Sequence, residues 1–143
     1  MTYATQQAMI ERFAEREVIA LTDRDSTGSI NDAVLAVALA NADAEINTYL
    51  ESRVSLPLAV TPVVLVGYAC DIARYRLTGA EVVETETIAR RYHEAIKFLT
   101  MFAAGKISLG LDLSNAPAPV SPGGGVKFTN AGSIFSRANT VNS

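Results

Sequence analysis

TPVVLVGYACDIARYRLTG, residues 61–79, is the stretch on which the fold turns. Thr61 offers a hydroxyl to cap a helix, Pro62 suits the first helical position because its missing N–H would be unpaired there, and Gly79 can end the helix left-handed. Between them Val63, Val64, Leu65, Val66, Tyr68, Ala69, Cys70, Ile72, Ala73, Tyr75 and Leu77 put apolar groups on nearly every face. A helix apolar all round is normally enclosed by other helices. Interrupted by Asp71, Arg74 and Arg76, it is a poor membrane span. The pattern predicts a central core helix with the remaining segments wrapped around it.

Working toward the N-terminus, residues 54–60 (VSLPLAV) cannot stay helical past Leu56, because Pro57 clashes with the preceding turn. They predict a short extended connector. Before it, Leu35, Leu39, Ala42, Ile46, Tyr49 and Leu50 recur every three or four residues, with Asp43, Asn47, Glu51 and Ser52 elsewhere around the cylinder. This is the longest helix, opened by Ser29 and Asp32 in a capping-box spacing and ending near Arg53. Its alanines between Ala33 and Ala44 predict packing on more than one side. Residues 22–29 (TDRDSTGS) are turn chemistry. Thr5 is placed to cap a first helix running to about Leu21, with Met9, Ile10, Phe13, Val18 and Leu21 as its contacts and a break near Ala14 or Glu15.

Working toward the C-terminus, a loop precedes a helix from Thr85 or Glu86 to Ala104. Ile88, Tyr92, Ala95, Ile96, Leu99, Phe102 and Ala103 form its stripe, and Glu86–Arg90 and Arg90–Glu94 are spaced to pair on its wet face. After Leu113 the character changes. Residues 114–143 hold three of the five prolines, a Gly-Gly-Gly run and only two charged residues. Such a stretch buries too little apolar area to offset the entropy of ordering it, so it reads as an extended tail. Val126, Phe128, Ile134 and Phe135 nevertheless give it apolar anchors, which predicts that it docks on something. The expected architecture is all-α: a small four-helix bundle around a central buried helix, a domain over 1–113, with an extended C-terminal arm over 114–143.

Composition narrows the function. The chain has 143 residues, 49% of them hydrophobic, and a formal charge of -3, with a pI near 5.1. That is enough for one domain with a real core, and it excludes a broadly basic surface made for nucleic acid. The single cysteine, Cys70, excludes an internal disulfide and reads as a small buried hydrophobe. MTYATQQAMIERF lacks the charged start and apolar run of a signal peptide, which predicts a protein kept in the cytoplasm until it assembles.

Chemical motifs are few. Residues 23–30, beginning Asp23-Arg24-Asp25-Ser26-Thr27-Gly28, follow the first eight places of a calcium loop, but the twelfth place, which needs a bidentate glutamate, is Val34. A calcium-responsive binding module built on Asp23, Asp25 and Thr27 is therefore one alternative, and a loop whose aspartates cap turns is the preferred reading. His93, the only histidine, would need a converging carboxylate to serve an acid–base enzyme; a surface position beside an inward Tyr92 is preferred. Asp71 with Arg74 or Tyr75 is either a buried acid or, preferably, a satisfied ion pair or hydrogen bond. Arg90 and Arg91 read as a solvated face. Gly123 to Gly125 lack the strand and the GK[ST] of a phosphate loop. The pattern assembles no catalytic, cofactor or metal site.

Beyond patterning, the sequence resembles the Mu-like bacteriophage family of head-to-tail connector (adaptor, or head-completion) proteins. The residues that carry the resemblance are ALANADAEINTYLESR with LPL between Ala38 and Leu58, ACDIARYRL from Ala69, and ARRYHEAIKFLTMFAAGKISLGLD from Ala89 to Asp112, together with the opening MTYATQQAMIERFAEREVIALTDRD. Val54 departs from the aromatic expected before SLPL. The resemblance implies a non-catalytic component of the virion neck, without cofactor or membrane. It would form a ring, expected to be twelve-fold, beneath the portal protein, continue the DNA channel without sequence-specific binding, and meet a tail-side stopper or terminator. On this reading Val126, Phe128, Ile134, Phe135 and Arg137 contact the portal or a neighbouring copy. Asp23 and Asp25 in the loop, and Leu56 and Pro57 in the connector, are candidates for subunit or tail-side contact. Another neck or tail completion role is the alternative within the same class.

Overall fold

The computed structural model describes residues 1–79 and 82–111. Within them the chain forms α1 (Gln6–Phe13), α2 (Glu15–Thr22), α3 (Asp32–Leu50), α4 (Val63–Leu77) and α5 (Glu86–Ala103). The all-α bundle stands, with the first of its four expected helices divided in two. Phe13 and Val18 are five residues apart, so on one continuous helix they would point about 140° apart. The break at Ala14, with φ 72° and ψ 148°, lets both be buried. Ala14 keeps its backbone partners: its N–H donates to Ile10 and its carbonyl accepts from Glu17 and Val18.

α4 packs against α1, α2, α3 and α5, which makes it the centre of the bundle. Leu65, Ala69, Cys70, Ile72, Ala73 and Leu77 are buried along it. Two details differ from expectation. Pro62, not Thr61, is the cap residue, and no side chain caps the first turn. In that first turn Leu65 is buried while Val63 is left 85% exposed. At the other end Gly79 adopts φ 92°, and its N–H donates to the Val82 carbonyl at 2.9 Å.

α3 begins at Asp32 with Asn31 as its cap, the Asn31 Oδ1 accepting from Val34 N–H at 3.2 Å. The expected Ser29 cap is displaced because Asn31 is anchored: its N–H donates to Thr22 Oγ1, and that hydroxyl donates to the Val18 carbonyl. Thr22 thus ties the end of α2 to the start of α3. Asp43, expected on the outer face, is buried. The segment before α1 crosses α3 there, Tyr3 N–H donating to Asp43 Oδ1 at 2.9 Å and the Tyr3 hydroxyl to Asn47 Oδ1. α3 packs on α2, α4 and α5, yet Ala36, Val37 and Ala40 remain exposed.

Thr85 caps α5, its Oγ1 accepting from Ile88 N–H at 3.3 Å, and Ile88, Ala95, Leu99 and Phe102 are buried. Tyr68 meets Phe98 at 4.8 Å and Tyr75 stacks on Tyr92 at 4.0 Å. Rising numbers on α4 therefore meet falling numbers on α5: the two run antiparallel, and the end of α5 lies beside the start of α4. Past α5, Ile107, Leu109 and Leu111 pack against the core. The boundary expected between Leu113 and Ser114 lies outside the described residues. Among the described residues no helix is long and apolar enough to cross a membrane.

Candidate interaction surface

Loop 23–29 is built around one carboxylate. Asp23 Oδ1 accepts from Thr27 N–H at 2.8 Å and Thr27 Oγ1 at 2.9 Å, while Oδ2 accepts from Gly28 N–H at 2.7 Å. Gly28, at φ 77°, supplies the left-handed turn this wrap requires. The N–H donors of Thr27 and Gly28 favour the anion and hold Asp23 below the ordinary aspartate range. Both oxygens are thus engaged by the loop's own donors, as a turn-capping aspartate should be. Asp25 is exposed beside them. Among the described residues no three His, Cys, Asp or Glu side chains converge as a metal site would require.

The 54–60 connector bends rather than running extended, because Val54 and Leu58 are both buried and pull the chain inward. Leu56 packs half-buried against the core, and Pro57 is exposed after a cis peptide bond. Asp23 and Asp25 thus lie in one loop and Leu56 and Pro57 in another.

Asp71 is 4% exposed and receives a fork from Arg12, Nε at 3.1 Å and Nη2 at 2.7 Å, with Arg91 Nη1 at 3.9 Å. It is the satisfied ion pair that was preferred, but with neither expected partner. Arg74 turns to Glu17 and lies 4.6 Å over the Phe13 ring, and Tyr75 stacks on Tyr92. Sequence reasoning missed Arg12 because 59 residues separate the partners. It also missed Glu45, which accepts from the Tyr92 hydroxyl and from Arg76 Nη2, each at 2.8 Å. Burial, with the Glu45 hydrogen bond, pushes Tyr92 up to about 12.

His93 is exposed, with Nδ1 2.7 Å from the Ala89 carbonyl and its ring edge-on to Tyr92. Arg90 pairs with Glu94 at 3.0 Å; among the described residues no ion pair joins Glu86 to Arg90. Cys70 is a free, buried thiol, pushed up to about 11 by burial.

Two exposed apolar surfaces remain to be placed. On the outer side of α3, Val37 is 62% exposed beside a groove formed with Ala33, Val34 and Leu77, and rimmed by Arg24, Asn41 and Arg76. At the start of α4, Val60 is 53%, Val63 85% and Val64 38% exposed. Beside them a cleft between α1 and α4 is lined by Ala8, Glu11, Arg12, Val63, Val66, Gly67 and Cys70. These are two unlike surfaces, one concave with a cationic rim and one a valine ridge beside a glutamate. They suit contact with other macromolecules. Val126, Phe128, Ile134, Phe135 and Arg137, the expected contacts of the arm, lie outside the described residues, as do Gly123 to Gly125.

A family model described as Bacteriophage Mu, Gp36 matches residues 3–128. The chain is 33% identical over 135 residues to a protein named Mu-like prophage FluMu protein gp36 from Haemophilus influenzae, covering 94% of this chain and 93% of that one. It is 32% identical over 120 residues to Gene product J of Escherichia phage Mu, covering 83% and 84% respectively.

Proposed function

Because the chain belongs to the Bacteriophage Mu Gp36 family, we propose that it is a structural protein of the virion neck, a head-to-tail adaptor that forms a ring beneath the portal and gives the tail its platform. The observation that carries this reading is the pair of unlike apolar surfaces, at Val37 on α3 and at Val63 on α4. A ring is closed by heterologous contacts, in which one side of a subunit meets a different side of the next, so its subunits need two such surfaces. On this reading loop 23–29 and the connector bearing Leu56 and Pro57 lie at subunit or tail-side contacts, facing a stopper or terminator. The 114–143 arm docks on the portal or a neighbouring copy.

Charge supports the same role. Lys127 and Arg137 are the only charged residues after Leu113, so a chain of -3 has a body, residues 1–113, of -5. An acidic wall repels phosphate and lets a duplex pass without gripping it. The adaptor carries no catalysis. It assembles from the host cytoplasm into the neck.

The test mixes purified portal with the full-length protein and, separately, with a version ending at Leu113, and measures mass before and after. A full-length protein that joins the portal as a ring, alongside a shortened one that does not, is the expected result. Failure of both to bind removes the portal role and turns the search to tail-side partners. Equal binding removes the docking arm and leaves the adaptor.

A further inference from the structure

The most exposed large apolar side chain among the described residues is Val63, and the cleft beside it is shaped to take something. Its walls are Ala8, Val63 and Val66, Glu11 stands on its rim, and the Arg12 guanidinium that also lines it is engaged by Asp71. Gly67 borders it: a Cβ there would meet the Arg12 guanidinium, 3.4 Å from Nη1.

Three facts point to one occupant. The first is place: because α5 runs antiparallel to α4, α5 ends at the end of the bundle where α4 begins, and Leu109 and Leu111 pack on the core after it. The second is charge: residues 114–143 carry Lys127 and Arg137 and no acidic residue, against a body of -5. The third is length: fourteen residues, 112–125, separate Leu111 from Val126. A Gly-, Pro- and Ser-rich chain of that length spans roughly 20 Å on average and at most about 50 Å, whereas Val63 to Cys70 covers only about 10 Å of helix. A short tether gives a local concentration on the order of millimolar, so a chain's own arm outcompetes a second copy at ordinary concentrations. The α3 groove is the poorer host, since Arg76 and Leu77 in its lining place it at the far end of α4 from the end of α5.

We infer that in the free subunit the Val126-Lys127-Phe128 segment docks in the α1–α4 cleft of its own chain, with Val126 and Phe128 covering Val63 and Val66 and Lys127 meeting Glu11. The arm then arrives at assembly latched, and its release uncovers the anchors and the valine ridge together. This rests on the reading of residues 114–143 as a docking arm, and not on the identity of the arm's final partner.

The test uses the full chain carrying Cys70→Ala, with Val63→Cys and Phe128→Cys, under mild oxidation. The expected product is an intrachain disulfide, monomeric by mass, formed about tenfold faster than in the control with Val37→Cys and Phe128→Cys, as a local concentration confined to one cleft requires. Equal rates in the two, or dimers in place of monomers, overturn the inference. A second measurement leaves the body untouched. In the full chain with Val126→Asp and Phe128→Asp, amide hydrogen exchange at residues 63–67 should speed up several-fold, and unchanged exchange also overturns it. If cross-linking fails while the same arm substitutions abolish portal binding, the latch falls and the proposed function stands. If the disulfide forms and portal is not bound, the latch stands and the portal role falls.

Discussion

Replacing Arg12 with Ala should destabilise the bundle by about 2 kcal/mol. Breaking a fully buried ion pair by removing one member costs about 3–5 kcal/mol, because the other charge is left without compensation, whereas an exposed pair is worth at most about 1 kcal/mol. This pair lies between those limits. Asp71 is 4% exposed but the Arg12 side chain is 37% exposed, and Arg91 remains 3.9 Å from the carboxylate to take over part of the load. For a domain of this size, 2 kcal/mol corresponds to a melting temperature lower by roughly 8 °C. Urea and thermal unfolding followed by circular dichroism would measure both. Arg12→Lys, which keeps the charge and loses the two-pronged geometry, should fall in between. Adding Asp71→Asn to Arg12→Ala should cost less than the sum of the two single changes, because the stranded charge is gone. A loss below about 0.5 kcal/mol, or strict additivity, would refute the assignment of Arg12 as the clasp between α1 and α4.

The buried Asp43 has its carboxyl held above the ordinary aspartate range by desolvation, so the folded state holds that proton more tightly than the unfolded one. Its contribution to stability is complete below the ordinary value, about 4, and declines as pH rises through the raised folded value. Asp43→Asn should flatten that part of the pH profile, while Asp43→Ala orphans the Tyr3 N–H and should cost about 1–3 kcal/mol in urea unfolding. Asp23 has the opposite sign: its folded value is depressed, so its contribution is present above the ordinary range and disappears as pH falls through the lower folded value, a dependence that Asp23→Asn should remove from an acid titration. Millimolar calcium should leave the melting temperature unmoved, since Thr27 and Gly28 already engage both Asp23 oxygens. Ala14→Gly should stabilise by about 1 kcal/mol in thermal unfolding, because φ 72° and ψ 148° is a region that costs a residue with a Cβ about 1–3 kcal/mol and glycine little.

Much of this fold was legible from spacing. α5 is the clearest case: Ile88, Ala95, Leu99 and Phe102 are buried where a 3.6-residue period put them, and the helix begins at Glu86, within the expected start. What spacing did not disclose are contacts made across the chain. Asp43 reads as an outward residue on α3 until Tyr3, forty residues away, brings its N–H to the carboxylate. Asp71 finds Arg12 rather than the nearby Arg74. The shift of the α3 cap from Ser29 to Asn31 has the same origin, since the Asn31 backbone is fixed by Thr22 on another helix. Local chemistry proposes several caps and partners for a polar residue, and tertiary packing selects one. At the candidate surfaces the difference was one of exposure: α4 was expected to be enclosed along its whole length, and its first turn is not.

That first turn bears on how the apolar faces should be understood. α5 has a water face, with Arg90, His93, Glu94 and Lys97 exposed opposite its buried stripe. α3 and α4 expose fewer charged residues, and each presents a valine to solvent, Val37 and Val63. Neither position is constrained by the bundle, because side chains that exposed contribute little to the stability of the isolated domain. A lone exposed valine needs no explanation. Val63, however, has Val60 and Val64 beside it and a cleft bordered by Gly67, and Val37 borders a groove floored by alanine and leucine. Helices that leave apolar side chains uncovered in this way are suited to a subunit whose burial is completed by what it docks with. The proposed ring needs two such faces of different shape, and the proposed latch would keep one of them covered until assembly.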